Sequence, residues 1–401
     1  MRATASGARR AGRGGSVLGG HVGLALDRRL VAHLAEGRWI AAVSATNGKT
    51  TTTNLLAAAL GVGGSVLTNS QGSNLRTGIA AALAAEPTTL RAALEVDEAT
   101  LAVLADELRP AVVVLGNLSR DQLDRYGEVR ILAERWRAMF ERLAAAGAAP
   151  EVVANADDPL VAWSASAVPN VTWVAAGAAW TADATVCPGC TAPIVHDAGD
   201  WHCTGCGLAR PIPDVEVRDD TVVFHDDAGD LEVPVRLAIP GTFNIGNAAL
   251  ALAAARLGGV APLDGAPALA TTGEVAGRYR SVRLGDHDIR LLMAKNPAGW
   301  QASLDIVQPP PVPVVVAINA RVADGRDPSW LWDVPFEMLA GRPVVAAGDR
   351  AHDLSVRLHY AGVAHEVRPG AALDAARTFP AGPVDLVANY TAFSDALAAL
   401  R

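Results

Sequence analysis

"VSATNGKTTTTNLL", residues 43–56, is the stretch on which the fold turns. The apolar run Ile40 to Val43 that leads into it has strand character, and the Ala/Leu-rich stretch behind it suits a helix. Between them Gly48 lets the backbone turn so that successive N–H groups face inward. Lys49 has the reach for terminal phosphates, and the Thr50 hydroxyl suits Mg²⁺. A helix starting there aims its positive end at an anion. Thr46, Asn47, Gly48, Lys49, Thr50 and Thr51 are therefore the candidate cradle for a nucleoside triphosphate. The usual first glycine is missing. Ala45 stands there, which costs little if the backbone angle is ordinary.

At 401 residues the chain has room for roughly two or three domains. Half of its residues are apolar, enough for each to bury a core. A net charge of −8 argues against a general nucleic-acid binder. Apolar runs such as "LAAALGVGGSVL" are broken by glycine and fall short of the ~20 residues of a bilayer span, so no transmembrane segment is expected. The basic, Gly-rich opening "MRATASGARRAGRGGSVLGG" lacks the apolar core of a signal peptide and reads as a flexible arm on a cytoplasmic protein. Only two of the 34 basic residues are lysines, Lys49 and Lys295. Under so strong an arginine bias, lysine should persist where a compact ammonium is needed and a planar fork is not. Both are taken as functional.

All four cysteines fall in one short segment, as "CPGC" (Cys187, Cys190) and "CTGC" (Cys203, Cys206). Two glycine-bearing C-x-x-C knuckles offering four thiolates are the pattern of a zinc ribbon. Two disulfides are out of keeping with a cytoplasmic chain, and a redox pair would not need the duplicate. A closed four-thiolate site leaves no open position for catalysis, and His202 beside it reads as a bystander. After Arg278 the texture changes: apolar runs at "VPVVVAINA", "RPVVAAGD" and "VDLVANY" alternate with helix-compatible segments, as in a small open α/β domain with a mostly parallel sheet.

Several of these pieces resemble the Mur ligase superfamily of ATP-dependent amide-forming ligases, and they occur in the family's order. "TNGKTTT" is similar to its ATP loop and "LEVDEAT" to the strand end whose glutamate, here Glu95, holds a metal ion. "LGNLSRDQLDRYGE" resembles its "N-x-x-x-D-H-x-D" segment, with Gln122 in place of the histidine, which puts one metal contact in question. "IPGTFNIGNAALALAAA" resembles the helix whose asparagine, here Asn244, faces the nucleotide, and "AGRYR" the Gly-Arg that puts Arg278 near the phosphates. No lysine lies between Lys49 and Lys295, so the carbamylated lysine of many relatives cannot form.

The ribbon and the C-terminal third narrow the resemblance to the branch that forms the Mur ligase-like subunit of lipid II isoglutaminyl synthase. About 40 residues precede the loop, too few for the uridine-nucleotide domain of typical cell-wall ligases. The resemblance implies an α/β protein with a Mur ligase-type P-loop ATPase domain over residues 1–284, a zinc ribbon inserted at about 183–212, and a smaller Rossmann-like α/β domain over 285–401. It assigns Asp324 and Asp327 to nucleotide binding. Lys295, in "KNPAG", would lie near the acyl acceptor or phosphate. It places "GDRAHDLSVRLHYAG" against a GatD-type glutaminase, with Asp353, or failing that Asp349, orienting the partner's histidine. The implied catalytic set is Lys49, Glu95, Lys295 and Asp353; the implied cofactors are ATP, Mg²⁺ on Thr50 and Glu95, and Zn²⁺. The implied reaction is amidation of the D-glutamate α-carboxylate of lipid II by ammonia from the partner, at the cytoplasmic membrane face. A stand-alone ligase joining an amino acid, as folylpolyglutamate synthetase does, is the alternative. A zinc-ribbon NTPase on nucleic acid is a further one, disfavoured because "TAPIVHDAGDWH" between the knuckles carries no Lys or Arg.

Overall fold

The computed structural model describes residues 15–69, 73–120, 129–177, 180–272 and 279–400, with side chains from residue 19 onward. They divide into two compact units, the second of which takes the chain from Gly273 onward together with two short segments that precede it.

The first unit is built on a nine-stranded sheet. Its strands are β1 (Trp39–Ser44), β2 (Val66–Thr68), β3 (Arg91–Glu95), β4 (Val112–Leu115), β5 (Glu151–Asn155) and β6 (Val171–Ala175). A separate antiparallel pair follows, β7 (Ile194–Asp197) and β8 (Asp200–Cys203), and then β9 (Val215–Arg218), β10 (Thr221–Asp226) and β11 (Gly229–Pro234). The order across the sheet is β11-β10-β9-β6-β5-β4-β1-β3-β2, parallel from β2 through β9 and antiparallel in the β9–β11 meander. Strands such as β4, "VVVL", are apolar at every position because helices cover both faces. The pleat sorts β1 accordingly, Ile40 and Ala42 into one core with Trp136 and Phe140, Ala41 and Val43 into the other with Leu55 and Leu252. The strand order reverses beside β1, so the loop after it opens at a switch point, where ligands bind in such sheets.

Small residues let the helices approach. Along the helix Thr242–Leu257, eleven residues, nearly all alanine, asparagine or glycine with two leucines, are buried. A Cβ on its Gly246 would come within 2.0 Å of the Ala176 carbonyl oxygen. The N-terminal helix Gly15–Leu26 packs likewise, a Cβ on Gly20 meeting the Thr77 carbonyl at 1.9 Å. The flexible arm expected through Gly20 is thus corrected from Gly15 onward, where the chain is helical and Gly20 admits a neighbouring backbone. No described helix is long and apolar enough to cross a membrane.

The second unit has six strands, β12 (Tyr279–Leu284), β13 (His287–Met293), β14 (Val314–Ala317), β15 (Val344–Ala347), β16 (His365–Val367) and β17 (Gly382–Ala388), in the order β12-β13-β17-β14-β15-β16. All pairs are parallel except the β12–β13 hairpin. In that hairpin β12 hydrogen-bonds to β13 throughout, so it belongs to the second sheet. Asp385, fully buried in β17, is held by Arg290 of β13 at 2.7 and 2.9 Å.

Ala45 is buried and is not among the residues with positive φ. Its methyl has room because position 116 is glycine; a Cβ there would lie 2.9 Å from the Ala45 Cβ. Gly116→Ala should therefore cost about 1–3 kcal/mol by overpacking. Ala45→Gly added to it should restore most of that loss in a denaturant-unfolding double-mutant cycle; additive losses would show that the two positions do not compensate.

Candidate nucleotide site and metal centre

The loop leaves β1 and enters the helix Lys49–Gly61 through Gly48, whose φ of 84° is left-handed. A side chain there is excluded twice over, by that φ and by the Asn247 Oδ1 that a Cβ would meet at 2.6 Å. The apex is clasped from the β4 side. Asn117 accepts from the Asn47 N–H (2.9 Å) and donates to the Asn47 carbonyl (2.9 Å), as a neighbouring strand would. The Ser119 N–H donates to the Thr46 hydroxyl at 3.0 Å, and that hydroxyl donates to the Ser119 carbonyl at 3.2 Å. On the far side the Thr52 hydroxyl donates to Asn247 Oδ1 at 3.2 Å, and Asn247 donates to Asn244 Oδ1 at 3.1 Å. Thr51 is buried and Thr50 half-buried.

Lys49 is buried. Its ammonium donates to the carbonyls of Ala45 and Thr46 and pairs with Glu98 Oε2 at 3.0 Å. Burial pushes the Glu98 carboxyl up, opposed by the attraction of Lys49. A phosphate entering the loop thus meets an ammonium already gathered inside it, with Glu98 to be outcompeted. Glu98 is a residue the sequence reading did not single out, although it lies in the quoted "LEVDEAT". Glu95 ends β3 in register with Val43, which puts its carboxylate one strand from the loop. Asn69 binds its backbone at both N–H and carbonyl (2.8 and 2.7 Å), and Asn74 donates to Oε1 at 3.3 Å. Arg278 and Gln122 lie outside the described residues.

One more carboxylate supports the loop. Asp158, buried at the N-terminus of the helix Pro159–Ala165, accepts from the N–H groups of Leu160 (2.9 Å) and Val161 (3.1 Å) and from Leu118 (2.8 Å), between Asn117 and Ser119. No motif marked it; an Asp-Pro pair at a helix start signals only a cap.

The four cysteines come together at the knuckles, with all sulfurs within 4.8 Å of one another. Cys187 and Cys206 are 3.7 Å apart and Cys190 and Cys203 3.4 Å, close to the ~3.8 Å edge of a tetrahedron with bonds of about 2.3 Å to zinc. Gly205 is required in its knuckle, since a Cβ there would meet that of Ala192 at 2.4 Å. Around Cys203 burial pushes upward, but the Gly205 amide and the Cys190 thiol outweigh it and bring its pKa to about 6. The Ala192 amide fails to hold Cys190 down, and the Cys203 beside it takes it up to about 12. Such a set ionises fully only around a cation, and the sulfur donors fit a thiophilic, tetrahedral one. The His202 side chain is exposed.

In the second unit the expected residues sit near strand ends with local partners. Asp324 accepts from the backbone N–H and the hydroxyl of Thr391, and Asp327 from the N–H (2.9 Å) and hydroxyl (3.0 Å) of Ser329. Lys295 is exposed, its Nζ 5.2 Å from the Tyr390 ring centre. Asp353 is in the first turn of the helix Ala351–Tyr360 and pairs with Arg350 at 2.9 Å, whereas Asp349 precedes that helix and pairs with Arg321 at 2.9 Å. Both aspartates are about half exposed.

The fold and the phosphate loop define the class: a Mur-type α/β ligase. Residues 43–187 match the Mur ligase middle domain and residues 293–393 the MurT ligase C-terminal domain. The chain is 31% identical over 379 residues to the lipid II isoglutaminyl synthase (glutamine-hydrolyzing) subunit MurT of Streptococcus pneumoniae, covering 87% of this chain and 83% of that one. It is 29% identical to the subunit of the same name from Staphylococcus aureus strain COL, covering 88% and 85%. The fold is similar to that of a pseudomurein peptide ligase type C from Methanothermus fervidus, with a TM-score of 0.71 at 20% identity over 91% of this chain and 79% of that one. The chain belongs to the MurT family.

Burial pushes the Asp158 carboxyl from 3.8 up to about 6, against the amides of Leu118, Val161 and Leu160. A carboxyl whose folded pKa is raised contributes stability that is full below its unfolded pKa and lost as pH rises through about 6. Stability should therefore drop by roughly 3 kcal/mol across that window. Unfolding free energies of the protein and of Asp158→Asn, measured from pH 4 to 7, test it; parallel pH profiles for the two would refute the assignment.

Proposed function

We propose that the chain is the ATP-dependent synthetase subunit of a lipid II isoglutaminyl synthase, working with a GatD-type glutaminase. The observation that carries this reading is the joining, in one chain, of a clasped phosphate loop to a segment matching the MurT ligase C-terminal domain. The first unit serves as the ATPase domain and the second as the MurT C-terminal domain.

The D-glutamate α-carboxylate of the stem peptide attacks the γ-phosphorus of ATP; the bond to the bridging oxygen breaks and ADP leaves. Ammonia from the partner then adds to the carbonyl carbon of the acyl phosphate. The tetrahedral adduct expels phosphate and loses a proton, leaving D-isoglutamine. Phosphoryl transfer asks mainly for position and charge neutralisation. Lys49, drawn off Glu98, and Arg278 neutralise phosphate charge. Thr46, Asn47, Gly48 and Thr51 line the cradle, with Asn244 against the nucleotide; Asp324 and Asp327 are further nucleotide-binding residues. Mg²⁺, held by the Thr50 hydroxyl and the Glu95 carboxylate, would screen the phosphate oxygens. Lys295 lies toward the acyl acceptor, and Asp353 orients the histidine of the glutaminase. The lipid carrier of the substrate puts the work at the cytoplasmic face of the membrane. Nucleic acid has no part in it. The four thiolates hold a structural Zn²⁺.

The deciding assay measures amide formation on a lipid II acceptor with ATP, given ammonium or glutamine, with and without a co-expressed glutaminase. Turnover with ammonium alone, and with glutamine only when the partner is present, is the expected result. Joining of an amino acid without any response to ammonium would replace this reading by a stand-alone ligase. Lys49→Ala should lower the ammonium-dependent rate by about 10²–10³. Elemental analysis should find one zinc per chain, lost in Cys203→Ser; a metal-free, fully folded protein would remove the zinc.

A further inference from the structure

We infer that the turn Ala156–Asp158 couples the four-cysteine ribbon to the nucleotide cradle, making Arg210, Trp201, Asp157 and Asp158 positioning residues for the phosphate loop. The inference rests on the phosphate loop being the nucleotide site.

The ribbon grips this turn at two consecutive residues. Trp201 of β8, buried against Cys187, Ile194 and Cys203, donates from Nε1 to the Ala156 carbonyl at 3.0 Å. Arg210, just past the second knuckle, donates from Nε to Asp157 Oδ1 at 2.6 Å. The Arg210 N–H is tied in turn to the Trp201 carbonyl at 2.9 Å, so both grips move as one piece.

From the turn, two routes run to the cradle. Through the next residue, Asp158 holds the Leu118 N–H, and the residues on either side of Leu118 clasp Asn47 and Thr46. Through Asp157, the second carboxylate oxygen accepts the Gly177 N–H at 2.7 Å, and Asn155 donates to the Gly177 carbonyl at 3.2 Å. That pins the 176–177 strand end, onto whose Ala176 carbonyl Gly246 packs with no room for a Cβ. Gly246 lies between Asn244 and Asn247, the pair that supports Gly48 and Thr52 from the other side. Both walls of the loop therefore refer back to one turn, and the ribbon closes that turn from outside. Buried hydrogen-bonded contacts of this kind have discrete arrangements and transmit displacement.

The test uses the full chain with the double variant Arg210→Ala/Trp201→Phe, which removes both grips and keeps an aromatic ring in the ribbon core. ADP binding by calorimetry should weaken at least about fivefold, the lower end of ordinary coupling between sites. Amide hydrogen exchange should quicken in peptides covering 45–53 and 116–120 and stay unchanged at 344–347. Val195→Ala, on the exposed ribbon face, should alter neither. Coupling is reciprocal, so ADP should slow exchange across 187–206 in the unmodified protein and lose that effect in the variant. If the double variant fails to fold, Arg210→Gln alone carries the same measurements. ADP affinity within twofold of the unmodified protein, with exchange at 45–53 unchanged, overturns the inference. Absence of ADP binding by the unmodified protein would instead overturn the nucleotide site itself.

Discussion

The left-handed turn at Gly48 is the constraint on which the site depends. It aims the start of the helix Lys49–Gly61 into the space where β1 ends, and it leaves the backbone groups of Thr46 and Asn47 without regular partners. Buried peptide groups must be satisfied, and the chain just beyond β4 satisfies these, the Asn117 carbonyl accepting the Thr46 N–H at 2.8 Å. The Asn117 side chain imitates a strand neighbour for Asn47, and the Ser119 backbone closes on the Thr46 hydroxyl. The protein's own hydrogen bonds therefore shape the loop, so that little ordering cost remains for a ligand to meet.

Charge is handled on the same pattern, by burying each ionic group with a partner. Lys49 lies against Glu98 and two carbonyls in the first unit. Asp385 lies against Arg290 and the Gln308 amide N–H (2.6 Å) in the second. Buried pairs contribute modest net stability, yet the loss of one partner strands a charge at a cost of about 3–5 kcal/mol. Their worth is positional: Arg290 and Asp385 stand opposite each other in the β13–β17 register and hold that pairing. The Lys49–Glu98 pair differs in kind, since it lies inside the loop proposed to hold phosphate, which would compete with Glu98 for the ammonium.

Much of the architecture was legible in residues 43–56 and in the cysteine spacing. A strand buried on both faces is apolar at nearly every position, and β1, β4, β14, β15 and β17 are readable for that reason, the buried Asp385 of β17 being the charged exception. The knuckles were readable because two C-x-x-C pairs carry their geometry locally. The second sheet's first strand was not: "YRSVRL" is exposed at half of its positions, buried at none, and belongs to its sheet only through pairing with β13. Gly20 misled in the same way, because a glycine that admits a neighbouring backbone and one that loosens an arm look alike in sequence.

What the sequence determined by itself is the chemistry available: a lysine after a glycine, threonines behind it, four thiols in two knuckles, and strands of the right texture in the right order. These signals act over a few residues, within the reach of dihedral preference and local hydrogen bonding. Tertiary structure alone decided that Ala45 is tolerated because Gly116 faces it, and that Lys49 waits on Glu98. It also decided that a plain Asp-Asp-Pro turn stands between the ribbon and the loop. Those contacts join residues 40 to 73 positions apart. Their partners are chosen by which strands lie side by side, a choice that depends on the packing of the whole core.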